Sequence, residues 1–146
     1  MATLSARLIA GCALALMVLV AAAVSAAAAP AVVGARAGDH AEKTRVVFDL
    51  TDTVDYRVFT LTGPPRVVVD MTRVDWRAGT GPSGVGGVAK VRHALFKPGV
   101  SRVVLDLTRP MGVAQSFLLP PSGGNGPRLV VDLTAVGDET FSRVAG

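Results

Sequence analysis

Four times in 146 residues an arginine stands four places before an aspartate: Arg45 and Asp49, Arg66 and Asp70, Arg102 and Asp106, Arg128 and Asp132. Two more arginines approach the array, Arg36 nine residues before Arg45 and Arg92 ten before Arg102. A guanidinium is a planar fork that takes a carboxylate through two parallel hydrogen bonds and can also donate to hydroxyls. Arginines set out at this spacing, with aspartates between them, form a candidate polar platform for a ligand rich in carboxylates and hydroxyls. The competing role is internal, with each arginine answering an aspartate on a neighbouring strand for roughly 0.2–1 kcal/mol per exposed pair.

Other chemistries find less support. Gly79, Gly81 and Gly84 spell G-x-G-x-x-G, but a dinucleotide site needs a helix directly after the glycines, and here Pro82 interrupts the loop and strand-like residues follow. His40, Glu42 and His93 supply no triplet of metal ligands at a usable spacing, so no metal or other cofactor is expected in this chain. The serines lack a nucleophile elbow, and the aspartates are fixed by a repeat, so no catalytic residue is expected. One Trp and one Tyr are too few stacking groups for a nucleic-acid platform.

The elements that carry the arginines are legible from the phrase around them. Arg45–Thr51, Arg66–Thr72, Arg102–Thr108 and Arg128–Thr134 are near-copies, RVVFDLT, RVVVDMT, RVVLDLT and RLVVDLT. In each, Arg, Val, Asp and Thr at odd places share one face of an extended strand, and apolar residues such as Val46, Phe48 and Leu50 share the other. The phrases alternate with a second strand type, VDYRVFTL (Val54–Leu61) and AQSFLL (Ala114–Leu119), and each set follows an approach segment, Val32–His40 or Val88–Phe96. A four-strand unit is therefore duplicated, unit one over 32–73 and unit two over 88–136, joined by a glycine-rich linker at 77–87. Each greasy face needs cover, so the expected fold is all-β, a β-sandwich of two similar four-stranded sheets with the arginines and aspartates outward. Residues 137–146 read as a tail or the start of a linker.

The first 29 residues have the order of an export signal, with Arg7, an apolar run from Leu8 to Val24 and small residues before Ala27 and Ala28. Leu8–Cys12 looks like a lipoprotein attachment box, but its short apolar approach and long greasy tail are the reverse of a working one. Cleavage near residue 28 would remove Cys12 and leave no stable membrane span and no disulfide. Arg7 aside, 14 Lys and Arg face 11 Asp and Glu. Between Asp75 and Asp106 no acid occurs, while Arg77, Lys90, Arg92, His93, Lys97 and Arg102 do. Such a stretch suits an anionic partner; it equally suits an edge strand guarded by cations.

Two units of the form R-x₈₋₉-R-V-V-x-D-L…F-x-L…P-R-x-V-V-D behind an export signal resemble the AMIN domain, the N-terminal localisation module of bacterial N-acetylmuramoyl-L-alanine amidases. The residues that carry the resemblance are Arg36, Arg45–Leu50, Phe59, Leu61, Pro65–Met71, Arg92, Arg102–Leu107, Phe117, Leu119 and Pro127–Leu133. Two departures stand out: the extra residue between Arg92 and Arg102, and a last turn lengthened by Ser122–Gly126. The resemblance implies a periplasmic sandwich over 30–136 that binds peptidoglycan and concentrates an amidase at the division site, with division-site or envelope proteins as further partners. A related role is the interaction domain of a type IV pilus secretin. In the amidases zinc belongs to a catalytic domain whose ligands are not found in this chain, so the chain is expected to be non-catalytic, a truncated amidase. The candidate binding residues are Arg36, Arg45, Asp49, Arg66, Asp70, Arg92, Arg102, Asp106, Arg128 and Asp132.

Overall fold

A computed structural model describes residues 27–146; the export signal expected at 1–29 lies almost wholly outside the described residues. Nine strands follow: β1 (Ala31–His40), β2 (Lys43–Leu50), β3 (Tyr56–Leu61), β4 (Arg66–Thr72), β5 (Asp75–Trp76), β6 (Val88–Lys97), β7 (Val100–Leu107), β8 (Met111–Leu119) and β9 (Arg128–Ala135). They build two facing sheets, one in the order β5-β1-β2-β9-β8 and the other in the order β3-β4-β7-β6. The all-β sandwich expected from alternation is the observed fold. One sheet has five strands rather than four, because the two-residue β5 pairs in parallel with Ala31 and Val32.

Neither sheet is one repeat unit. The hairpin β1-β2 of unit one joins β8-β9 of unit two through the β2–β9 ladder, and β3-β4 joins β6-β7 through β4–β7. The phrase therefore always pairs with another copy of itself, antiparallel and in the centre of a sheet. Its inward residues make the core: Val46, Phe48 and Leu50 of β2, Val67, Val69 and Met71 of β4, Val103 and Leu105 of β7, and Leu129, Val131 and Leu133 of β9. On β2 and β7 the burial alternates residue by residue, as a strand with one covered face requires.

The open sides of the sandwich are closed by segments that alternation does not announce. Between β1 and β6, the Trp76 indole stacks on His93 at 4.2 Å between ring centres, meets Phe48 edge-on at 6.3 Å, and donates its N–H to the Gly79 carbonyl at 2.8 Å. The 77–87 linker, glycine-rich though it is, is tied down: Gly84 N–H reaches the Ala89 carbonyl, and Val85 and Val88 exchange backbone bonds. Residues 137–146, expected as a tail, contain a short helix α1 (Asp138–Val144) that buries Phe141, and Gly146 N–H bonds the Thr60 carbonyl of β3.

Polar substitutions along one phrase should separate the two faces. Phe48→Asp and Leu105→Asp place a charge at core positions with no exposed surface and should abolish cooperative denaturant unfolding, whereas Val47→Asp on the outer face should leave it cooperative. Equal tolerance at Val47 and Phe48 would contradict this register.

Candidate binding faces

On each outer face the duplication writes one pattern of charge. In the β2–β9 ladder Arg45 lies opposite Asp132 and Asp49 opposite Arg128; in the β4–β7 ladder Asp70 lies opposite Arg102 and Arg66 opposite Asp106. Each sheet then gains a third arginine, Arg36 on β1 or Arg92 on β6, and the four-stranded sheet a fourth, Arg57 on β3 opposite Asp70.

Four side-on pairs result. Arg45 donates through Nε and Nη2 to the two carboxylate oxygens of Asp132 at 2.7 and 2.9 Å, and Arg102 repeats this on Asp70 at the same distances. Arg36 holds Asp49 at 3.2 and 2.9 Å, and Arg92 holds Asp106 at 2.7 and 2.9 Å. Each pair occupies two of the five guanidinium N–H donors and leaves three for a ligand. All ten predicted residues are thus brought onto two faces, five to a face, and eight of them are consumed in pairs.

Alternation puts every aspartate of the repeat on the solvent face, and at two of them the structure corrects this. Asp132 is 0% exposed and Asp70 is buried. Both sit on central strands beneath long side chains: Asp132 also takes the Gln115 amide at 2.6 Å and lies 3.6 Å from Lys43, and Asp70 takes Arg57 at 3.4 Å. The hydrogen bond from Arg45, with those from Gln115 and the charge of Lys43, holds the Asp132 carboxyl far below the usual carboxylate range despite its burial. Arg102, helped by Arg57, lowers Asp70, and Arg92 lowers Asp106. The same bonds raise Arg45, Arg92 and Arg102. At Asp70 and Asp132 the paired arginines are therefore framework as well as face.

Aromatic rings complete the faces, beyond the ten charged residues that the repeat singles out. The Arg102 guanidinium lies 3.5 Å from the ring centre of Phe96 and 5.7 Å from that of Phe59, with Arg57 4.7 Å from Phe59. On the other sheet Arg45 has only Phe117, at 5.9 Å. Phe96 is the extra residue between Arg92 and Arg102: the β6–β7 register shifts between Leu95 and Lys97, so Phe96 is extruded as a bulge, half exposed, over the arginine. The spacing of ten rather than nine was its trace in the sequence. Four of the six basic residues of the acid-free stretch, Lys90, Arg92, His93 and Lys97, lie on β6, which is an edge strand, where cations discourage further pairing.

A family model for the AMIN domain matches residues 33–133. The chain belongs to the AMIN domain family. It is also 34% identical over 111 residues to the N-acetylmuramoyl-L-alanine amidase AmiC of Neisseria meningitidis serogroup B, an alignment that covers 72% of this chain and 26% of that protein. The chain thus spans about a quarter of the length of the curated relative it matches. Among the described residues no three His, Cys, Asp or Glu side chains gather closely enough to hold a metal ion, and no helix is long and apolar enough to cross a membrane.

The depressed carboxyls dictate an acid limb. Their folded values lie below the unfolded aspartate value of about 3.9, so their stabilisation is complete above about pH 4 and is lost as pH falls through the folded values. Denaturant midpoints followed downward from neutral pH should hold and then fall below about pH 4. Asp132→Asn should cost about 2–3 kcal/mol at neutral pH, because Arg45, Gln115 and Lys43 lose the negative charge they share and one of its two oxygens is replaced by an NH2 donor, and should flatten the acid limb. A stability that rises on acidification would contradict the assignment.

Proposed function

We propose that this protein is the peptidoglycan-binding and localisation module of an N-acetylmuramoyl-L-alanine amidase, exported to the periplasm. In this reading it positions cell-wall hydrolysis, including that at division sites, while zinc and the hydrolytic step belong to a catalytic domain of such an amidase and not to residues 27–146. Support comes from membership of the AMIN family and from the similarity to AmiC. The observation that carries the reading is the pair of outer faces, on each of which arginines outnumber aspartates and guanidinium donors remain that no carboxylate takes.

The chemistry suits a polymer better than a single small molecule. Peptidoglycan offers carboxylates on its stem peptides and hydroxyls on its glycan, repeated along a strand or sheet of wall. Aspartates already fix the guanidinium planes, so little side-chain entropy is lost when the remaining N–H groups donate to such acceptors. Two similar faces on one rigid domain raise retention on a repeating ligand by effective concentration. Phe96 and Phe59 add an apolar surface beside Arg102 against which a sugar ring can lie.

The purified protein should co-sediment with peptidoglycan sacculi at low salt and be released as salt rises, since attraction between exposed charges is screened over about 8 Å at physiological ionic strength. The side chains of Arg36 and Arg92 are 62% and 51% exposed, so Arg36→Gln and Arg92→Gln remove cations with little effect on folding. Each should weaken retention by about threefold and the double variant by more. Retention of the folded double variant equal to that of the parent would place the binding surface elsewhere.

A further inference from the structure

With Arg57 and Arg102 sharing Asp70, each face leaves one guanidinium without a carboxylate. Arg36 and Arg92 win Asp49 and Asp106 from the residues directly opposite them, so the odd ones out are Arg128 on the five-stranded sheet and Arg66 on the other. The two are equivalent by duplication but not by surroundings. Arg66 turns back into the tight Gly63–Pro64–Pro65 turn, where Nε donates to the Pro64 carbonyl at 3.1 Å and Nη2 to the Thr62 carbonyl at 3.0 Å.

Arg128 does not have that option, because the corresponding turn is the longer one. Ser122 and Asn125 exchange backbone hydrogen bonds across Gly123 and Gly124, whose φ values of 57° and 79° are those of a two-residue hairpin turn. The loop then returns through Gly126 so close to the sheet that a Cβ there would collide with the Leu50 carbonyl oxygen. Between this small hairpin and the sheet face runs a groove of about 680 Å³, lined by Arg36, Asp49, Thr51, Asn125 and Arg128 among others. Sites for small ligands occupy roughly 300–1,000 Å³. The Arg128 Nε is buried and has no hydrogen-bond partner among the described residues, and no carboxylate lies within 4.0 Å of the group.

A buried N–H donor without an acceptor is costly, and folds leave few of them; the Nη groups of the same half-buried side chain are neither buried nor hydrogen-bonded among the described residues, and these are the donors open to a ligand. We infer that the groove between the Ser122–Gly126 loop and the outer face of β2 and β9 is a carboxylate-binding subsite, anchored by Arg128 with the Asn125 amide and the Arg36 guanidinium beside it. The charge selects the ligand. Arg36 and Asp49 neutralise each other, which leaves a single positive charge, and Asp49 repels a dianion such as phosphate more strongly than a monoanion. A planar carboxylate fits a planar fork. That the carboxylate belongs to peptidoglycan rests on the proposed function; the site itself needs only the carboxylate. Two sources share this chemistry: the free end of a stem peptide, and the lactyl group that hydrolysis of the muramoyl–alanine amide leaves on the sugar.

The test is a titration of the ¹⁵N-labelled protein, following the arginine Nε–H signals, with N-acetylmuramic acid and with D-alanyl-D-alanine, and with N-acetylglucosamine as the sugar that lacks a carboxylate. The Arg128 Nε–H and the Asn125 side-chain amide should shift saturably with at least one of the two acids and not with N-acetylglucosamine, while Arg66 Nε–H stays still. Which acid acts identifies the source. Followed at Asn125, Arg128→Gln should weaken the interaction tenfold or more. Arg128→Lys, which keeps the charge but not the fork, should also weaken it, and Arg66→Gln should not. Arg128 unmoved by both acids, or Arg66 and Arg128 moving alike, would overturn the site. If the parent sediments with sacculi but Arg128 does not respond, only the groove assignment fails. If Arg128 responds but the parent does not sediment, the groove stands and the polymer reading fails.

Discussion

When two copies of the phrase pair antiparallel about their central valines, the arginine at the head of each meets the aspartate at the fifth place of the other. Both ladders adopt this register, centred on Val47 opposite Val130 and on Val68 opposite Val104. Competing registers lose more than an ion pair. A slip of one residue would turn either Phe48 or Leu129 outward with the rest of its strand's inward set. A slip of two keeps the faces but sets Asp70 opposite Val100 or Val104, so that a carboxylate buried in the centre of a sheet would lack the guanidinium directly across from it. Surface ion pairs rarely decide stability, but these decide alignment, because Asp70 and Asp132 are covered and cannot fall back on water.

The same pairing makes the duplication interdependent. Unit one alone offers the hairpins β1-β2 and β3-β4, and an isolated two-stranded hairpin is marginal in water. Each hairpin finds its sheet only when the other unit supplies the partner strand, and Arg45 meets Asp132 across 87 residues of chain. The two faces are consequently held at a fixed distance and orientation on opposite sides of one core. A polymer that touches both must bend around the domain or be shared between layers.

Much of this was legible in the residues. Alternation told inward from outward on β2 and β7 without error, since each has one face on the core and one on solvent. It could not tell which strand pairs with which, because a period of two reports a face and not a neighbour. It also misjudged the outer positions of β4 and β9: Val68, Asp70, Val130 and Asp132 are buried there, under Arg102, Arg57 and Phe59 on one side and Arg45, Gln115 and Phe117 on the other. Cover supplied by long side chains from neighbouring strands leaves no period in the covered strand. Trp76, Phe141 and Phe96 escaped for a related reason, in that each acts as a single residue at an edge, a chain end or a bulge.

Divergence between the two units is concentrated where the pairing constraint ends. The central ladders must keep Arg opposite Asp, and they have. At the rims, unit two has Phe96 in its first hairpin and the longer Ser122–Gly126 turn in its second, where unit one has His40–Lys43 and a turn through Gly63 and Pro64. Each difference acts on an arginine of the repeat. Phe96 covers Arg102 with a ring, and the longer turn withdraws from Arg128 the carbonyl acceptors that Arg66 retains. One arginine per sheet is thereby given surroundings that its twin lacks, an aromatic lid on one face and an open groove on the other. A duplicated framework with its polar centre fixed by register can change its ligand contacts only in this way, from the turns and edges inward.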